Sequence, residues 1–366
     1  MKKNRNIKAI PVVAISNFGH CGLDWLHSLI DSHKEILILP GLSFFRKIEI
    51  LKKRKINFNN NSNLKEIVNI FAKELFNNKA PKKYNIITKK QSKSKFKKYI
   101  FNFLVTEKNL EMEKRLFFAI HYAFVKINKI NLSKIKRIVA HEHVPWNCYQ
   151  YDECFNSKFI FIVRDPRASI AGSLRMFQRS KNIPINFQID MNLSYVISAQ
   201  IFCKKLSKKV LILKNENMHN NLKPEMKKLA KWLNIKFNNS LLNSTFLGKK
   251  WIGESGYLRK SDLEKPYPKD YYKPSNVESR WRNILDKNTI LIIETVSEKI
   301  MKKYNYSLDN NLNVRSKFFG YLNLLFRFNQ FNNFLSVIKL NVIKNVIRRF
   351  FIVFFSNQSR KIFDIA

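Results

Sequence analysis

Four short runs of apolar and β-branched residues, Val12–Ile15, Ile138–Ala140, Lys158–Val163 and Val210–Leu213, are bounded by turns or charges. Runs of that length and composition predict buried parallel strands. Helical periodicity follows most of them. Leu26, Leu29 and Ile30 share one face, as do Leu193, Val196, Ile197 and Ile201, and again Leu222, Met226, Leu229 and Leu233. Strands alternating with helices predict an α/β domain over residues 8–305, with a parallel sheet flanked by helices. Two segments break the rhythm. Residues 42–135 are rich in Lys and Asn, with helical patches at Leu64–Leu75, Phe96–Leu104 and Glu113–Ile127, and are expected to form a helical insertion between strands. Residues 316–360 carry Phe318, Phe319, Leu322, Leu325, Val342, Val346 and Phe350–Phe355 around Arg348 and Arg349, which predicts an amphipathic, basic helical tail.

Composition changes this picture little. A chain of 366 residues with 45% hydrophobic content can bury a full core. The formal charge of +42 admits nucleic acid, an anionic membrane surface or an acidic small substrate as partners. Lysine is spread evenly through core-like and loop-like stretches, however, and no nucleic-acid-binding motif accompanies it, so a nucleic-acid partner is not expected. Packing on the domain or on a second subunit is the first expectation for the tail, and contact with a membrane surface the second. Cys21, Cys148, Cys154 and Cys203 lack paired spacing, which argues against a disulfide framework or a cysteine metal site. No run supplies about 20 uninterrupted apolar residues, and Asn17–Asp24 offers no cleavage site after the first apolar stretch. A cytoplasmic protein, peripheral at a membrane at most, is the expectation.

Glycine is scarce, with 8 in the chain, so its placement carries information. Gly19 and Gly22 fall between the first strand and a helix, and Gly248, Gly253 and Gly256 cluster late. A strand, a short glycine loop and a helix N-terminus can bind an anion, because unpaired N–H groups and the helix dipole both point at the loop. An ordinary strand–helix turn has the same sequence. The loop lacks the Gly-Lys-Ser/Thr ending of nucleotide kinases. The second candidate is Val163-Arg164-Asp165-Pro166-Arg167-Ala168-Ser169-Ile170-Ala171-Gly172-Ser173. A guanidinium at the carboxyl end of a buried strand lies where open α/β sheets bind ligands, and its planar fork suits a phosphate. Pairing of Arg164 with Asp165 is the structural alternative.

At these residues the chain resembles the sulfotransferases that use 3'-phosphoadenylyl sulfate (PAPS). Gly19-His20-Cys21-Gly22-Leu23-Asp24-Trp25-Leu26 is similar to the family's Pro-Lys-Ser-Gly-Thr-Thr-Trp-Leu loop, and Leu29-Ile30-Asp31-Ser32-His33 to its Leu-Leu-Asp-x-His. Arg164–Ser173 resembles Arg-Asp-Pro-Arg-x-Ser-x-x-Ser, and His141-Glu142-His143-Val144-Pro145 resembles Lys-Thr-His-Leu-Pro. Glu216 and Met218, and the stretch from Lys227 to Ser255, look like later parts of bacterial members. The pieces run from about residue 10 to 285 and leave out 42–135 and the tail. The resemblance implies a three-layer, P-loop NTPase-like sulfotransferase fold with PAPS as co-substrate and no metal. It implies donor contacts from Gly19, His20, Cys21, Gly22, Leu23, Asp24, Trp25, Arg164 and Ser173, with His143 as catalytic base, His20 supporting the leaving phosphate, and His141 and Glu142 as reserve bases.

Four positions depart from the pattern. His20 stands where the family has Lys or Arg, Leu23 and Asp24 replace two hydroxyl residues, and Gly172 occupies the place of the last Ser, one residue before Ser173. A carboxylate facing a phosphosulfate is repulsive unless a cation neutralises it or it turns away to cap the helix. The acceptor, a glycan, a lipid or a small molecule, is not marked in the sequence. The 42–135 insertion is the expected place to hold it. A degenerate sulfotransferase-like binding protein and a polyanion-binding protein are the alternatives to an enzyme.

Overall fold

Burial on both faces is what lets the apolar runs form parallel strands, and the first of them, β1 (Val12–Asn17), has all six residues buried. The computed structural model describes residues 6–39, 43–54, 61–76, 90–177, 185–251 and 273–325. Around β1 stand β2 (Ile36–Ile38), β3 (Arg137–His141), β4 (Lys158–Val163) and β5 (Val210–Lys214). They make one five-stranded parallel sheet in the order β2-β3-β1-β4-β5. The four expected strands are present, longer by up to two residues. β2 is not among the expected strands, although Ile36–Leu39 is an unbroken apolar run as long as Val12–Ile15. With helices flanking the sheet, the chain has the expected α/β class.

Register sets the working edge. Ile15 lies opposite His141, Asn17 opposite Ile162, and Val163 opposite Lys214. The carboxyl ends of β1, β3, β4 and β5 therefore reach one edge, where the loops that follow them meet.

Between β2 and β3 run the helices α2 (Phe44–Lys53), α3 (Asn61–Leu75), α4 (Lys90–Thr106) and α5 (Met112–Ile127). Their aromatic residues join the main core. Phe44 meets Phe71 and Phe117 at ring distances of 5.7 and 5.3 Å, and Phe45 meets Tyr151 of α6 (Cys148–Phe155) at 4.6 Å. The start of the tail is a helix, Val314–Leu325, which buries Leu324 and leaves Phe318 and Phe319 exposed. It crosses the helix Lys287–Lys303 closely. A Cβ on Gly320 would lie 2.1 Å from Thr295 Oγ1. The rest of the tail, and Gly253, Ser255 and Gly256, lie outside the described residues. Among the described residues no helix is long and apolar enough to cross a membrane.

The Asp31-Ser32-His33 segment has a structural task. Asp31 Oδ2 accepts from Thr245 Oγ1 and the Gly248 N–H, both at 3.0 Å, and Ser32 Oγ lies 2.6 Å from Thr245 Oγ1. His33 Nε2 bonds the Lys236 carbonyl at 2.8 Å. These bonds fasten the hairpin of β6 (Thr245–Phe246) and β7 (Lys249–Lys250) beside α1 (Leu23–Ile30).

The turn from β1 into α1 depends on two glycines in the left-handed region, Gly19 at φ +93° and Gly22 at φ +89°. Asn215, the first residue of α9 (Asn215–Asn220), donates from Nδ2 to the Cys21 carbonyl at 2.9 Å. A Cβ at Gly22 would approach that Nδ2 to 2.7 Å. Gly22→Ala therefore meets both backbone strain and a held neighbour, and is expected to cost about 1–3 kcal/mol and lower Tm by several degrees. Gly248→Ala is the control, because φ +73° strains it but nothing lies within 4 Å. Equal losses in the two variants, measured by thermal unfolding, contradict the clamp by Asn215.

Candidate active site

Helix α1 opens the site. Its N-cap, Gly22, makes no side-chain capping bond, so no cap takes the first-turn N–H groups that point toward the sheet edge. The loop before it is partly self-bonded. The Gly19 N–H donates to Asn17 Oδ1 and the Cys21 N–H to the Gly19 carbonyl, both at 2.8 Å. This corrects the expectation for Cys21. Its amide is occupied, and its thiol is buried against the Phe18 carbonyl and Ser169 and pushed up to about 12 by desolvation. Leu23 is buried in the core. Trp25 is half-buried and stacks on His219 of α9 with ring centroids 4.3 Å apart.

Arg164 follows β4 and shares this edge with the loop. Burial first, and nearby charges that include Arg164 after it, depress His20 and His219, each to about 4. Arg164 Nη2 donates to the Val277 carbonyl at 3.1 Å, and Nε is buried with no hydrogen-bond partner among the described residues. Arg164 does not pair with Asp165, because Asp165 is taken by Arg167. Arg167 donates from Nη2 and Nε to Asp165 at 2.7 and 3.1 Å, from Nη1 to Glu294 at 2.7 Å, and stacks 4.1 Å over Trp281.

Helix α7 (Pro166–Phe177) starts at its proline, as the sequence predicts. Its phase corrects the choice of Ser173. That hydroxyl is fully buried and accepts from Asn192 Nδ2 at 2.9 Å, on α8 (Ile185–Lys205). The α7 residue beside Arg164 is Gly172, where a Cβ would stand 3.6 Å from Nη1. Successive helix residues point about 100° apart, so the one-residue offset in sequence turns the hydroxyl away. Ser169, not singled out in the sequence, lies against the loop, 3.0 Å from a Cβ built on Gly19.

Three histidines meet where β3 ends. His27 Nδ1 lies 2.9 Å from His141 Nδ1, and His141 Nε2 lies 3.0 Å from His143 Nε2. Asp24 Oδ1 is 3.6 Å from His141 Nε2 and 4.0 Å from His143 Nε2. Asp24 thus does not cap α1. It turns to the imidazoles instead. His27 and His141 are fully buried, which drives both well below the ordinary range, His27 to about 3. His143 and Asp24 are half exposed. His27 stands three residues after Asp24, a helical same-face spacing the sequence already contained.

Two further expectations need correction. Burial, then His143 and Arg164, depress His20 to about 4, so the imidazole is neutral at pH 7 and brings no positive charge to a leaving phosphate. Glu142, the residue after β3, is engaged elsewhere. Its Oε1 accepts the Val144 N–H at 3.1 Å, and desolvation raises its carboxyl to about 8, so it is a neutral buried acid and no base for this site.

No protein-family model matches the chain, and no curated protein matches it. Among solved structures, the sulfotransferase domain from the curacin biosynthetic pathway is similar at a TM-score of 0.46 and 14% identity, over 82% of this chain and 99% of that one. The sulfotransferase domain from the Synechococcus PCC 7002 olefin synthase is similar at a TM-score of 0.40 and 14% identity, over 84% and 97%. Likenesses this distant say nothing of a substrate or a donor.

Proposed function

We propose that the chain is a sulfotransferase, moving a sulfuryl group from PAPS to a hydroxyl or amine of a glycan, lipid or small molecule. The observation that carries the reading is that α1 follows β1 and Arg164 follows β4, neighbouring parallel strands whose carboxyl ends reach one sheet edge. Two cationic or dipolar elements so arranged suit a nucleotide phosphorylated at both ends. Trp25 of α1, stacked on His219, adds aromatic surface beside the α1 N-terminus.

In this mechanism the α1 N–H groups hold the 5'-phosphosulfate, and Arg164, with the open face left by Gly172, holds the 3'-phosphate. His143 accepts the acceptor's proton as the new O–S or N–S bond forms and the bond from sulfur to the bridging phosphate oxygen breaks. Charge gathering on that oxygen is stabilised by the α1 N-terminus. Because His20 is neutral, it contributes one N–H donor and no charge. The acceptor would enter past His143, half exposed at the site's rim, with helices α2–α5 as candidates to shape its pocket. Exposed Phe318 and Phe319 on the tail helix fit work at a membrane surface by an otherwise cytoplasmic protein.

Asp24 supports a second reading, a sulfotransferase-like protein that binds an acceptor without turning over. Its carboxylate stands in the first turn of α1, the turn whose N–H groups would hold the phosphosulfate, and a negative charge there opposes an anion.

Two outcomes separate these readings. Calorimetry with 3'-phosphoadenosine 5'-phosphate is expected to show binding that Arg164→Ala weakens by roughly 10–100-fold, the worth of charged hydrogen bonds. Adenosine 5'-phosphate binding is expected to change little in the same variant. Equal losses for both nucleotides contradict a 3'-phosphate contact. With labelled PAPS and cell-extract acceptors, His143→Ala is expected to cut transfer by ~10²–10⁴-fold while nucleotide affinity holds. Full turnover in that variant removes His143 as base, and no turnover in the wild type favours the second reading.

A further inference from the structure

Three donor atoms of different residues, Asp24 Oδ1, His141 Nε2 and His143 Nε2, face one another with separations of 3.0, 3.6 and 4.0 Å. The circle through three points so spaced has a radius of about 2.1 Å, within the ~2.0–2.2 Å at which zinc binds imidazole nitrogen and carboxylate oxygen. One small cation at its centre would reach all three at bonding distance. Hydrogen bonding accounts for the arrangement less well. The two Nε2 atoms can share a proton at 3.0 Å, but the carboxylate lies beyond hydrogen-bond distance of both. We propose that Asp24, His141 and His143 form a binding site for a divalent cation of the zinc class.

The surroundings have the form such a site needs. His141 Nδ1 meets His27 Nδ1 at 2.9 Å, so a partner outside the ligand set fixes the ring with Nε2 turned to the centre. Packing holds His27 in place, with its ring stacked on Phe246 at 4.7 Å. His141 closes the site from the core side at 0% exposure, while Asp24 and His143 are 48% and 44% exposed. Solvent therefore reaches the site, supplying an entry path and the remaining coordination positions. Two imidazoles and one carboxylate favour zinc and its first-row neighbours over magnesium, which prefers an oxygen shell. Zinc bound there neutralises Asp24 and takes the Nε2 lone pair of His143. Under the proposed function, which this consequence alone rests on, zinc occupancy arrests transfer and the metal-free form is the active one.

The test is titration of the full chain, stripped with a chelator, with zinc chloride by calorimetry and with cobalt chloride by visible absorption. One equivalent is expected to bind, with ligand-field bands for cobalt, and magnesium chloride is expected not to compete. Asp24→Asn and His143→Ala, both at half-exposed positions, are each expected to weaken zinc by at least about tenfold with melting temperatures near that of the wild type. Absence of binding in the wild type, or unchanged stoichiometry and affinity in both variants, overturns the site. Binding of 3'-phosphoadenosine 5'-phosphate to the zinc-free chain is measured in parallel. Nucleotide binding without zinc binding sinks the metal site alone, and zinc binding without nucleotide binding supports it while removing the transferase reading.

Discussion

The geometry of the site depends on where Asp165 sends its charge. Were it paired with Arg164, the guanidinium would be spent at the sheet edge. Arg167 prevents that by bonding Asp165, Glu294, Asp309 and the Ser307 carbonyl from a position only 2% exposed. Glu216 completes the corner, accepting the Asp165 N–H at 3.0 Å and the Tyr306 hydroxyl at 2.9 Å. Burying so many charges brings little net stability, since desolvation offsets most of the attraction, but breaking one partner of such a set is costly. Its effect is to fix direction: Arg167 turns to the helices after the sheet, and Arg164 is left beside the loop.

Another part of the edge is built from three imidazoles and one carboxylate. Burial keeps His27 and His141 uncharged, so both act through lone pairs and N–H groups. Asp24 adds a negative charge on the helix whose N-terminus otherwise attracts anions. Asp24 and Arg164 therefore bring opposite charges to one edge, and a cation held between Asp24 and the histidines would offset the first.

Much of this was legible in the sequence, for identifiable reasons. The strands were visible because burial on both faces demands unbroken apolar runs, and the β1–α1 turn because glycine is so rare here. Arg164 directly follows β4, as the apolar run before it predicts. Ser173 was misassigned because helix phase turns one residue by about 100° relative to the next. The roles expected of Cys21 and Glu142 are not met, because a backbone bond takes the Cys21 amide and burial keeps the Glu142 carboxyl neutral. Asn215 and His219 belong to the site only through the β4–β5 pairing and α9, a tertiary relation no local pattern carries. The grouping of His27, Asp24, His141 and His143 depends on the β1–β3 register, although the three-residue Asp24–His27 spacing is present in the sequence.

The central claim, that the α1 N-terminus and Arg164 grip one ligand together, is tested most directly by hydrogen exchange. Amides of residues 22–25 are expected to slow when 3'-phosphoadenosine 5'-phosphate is added to the wild type, and to slow much less in Arg164→Gln at the same nucleotide concentration. Binding of the nucleotide with no protection in that turn, or equal protection in the variant, contradicts the account.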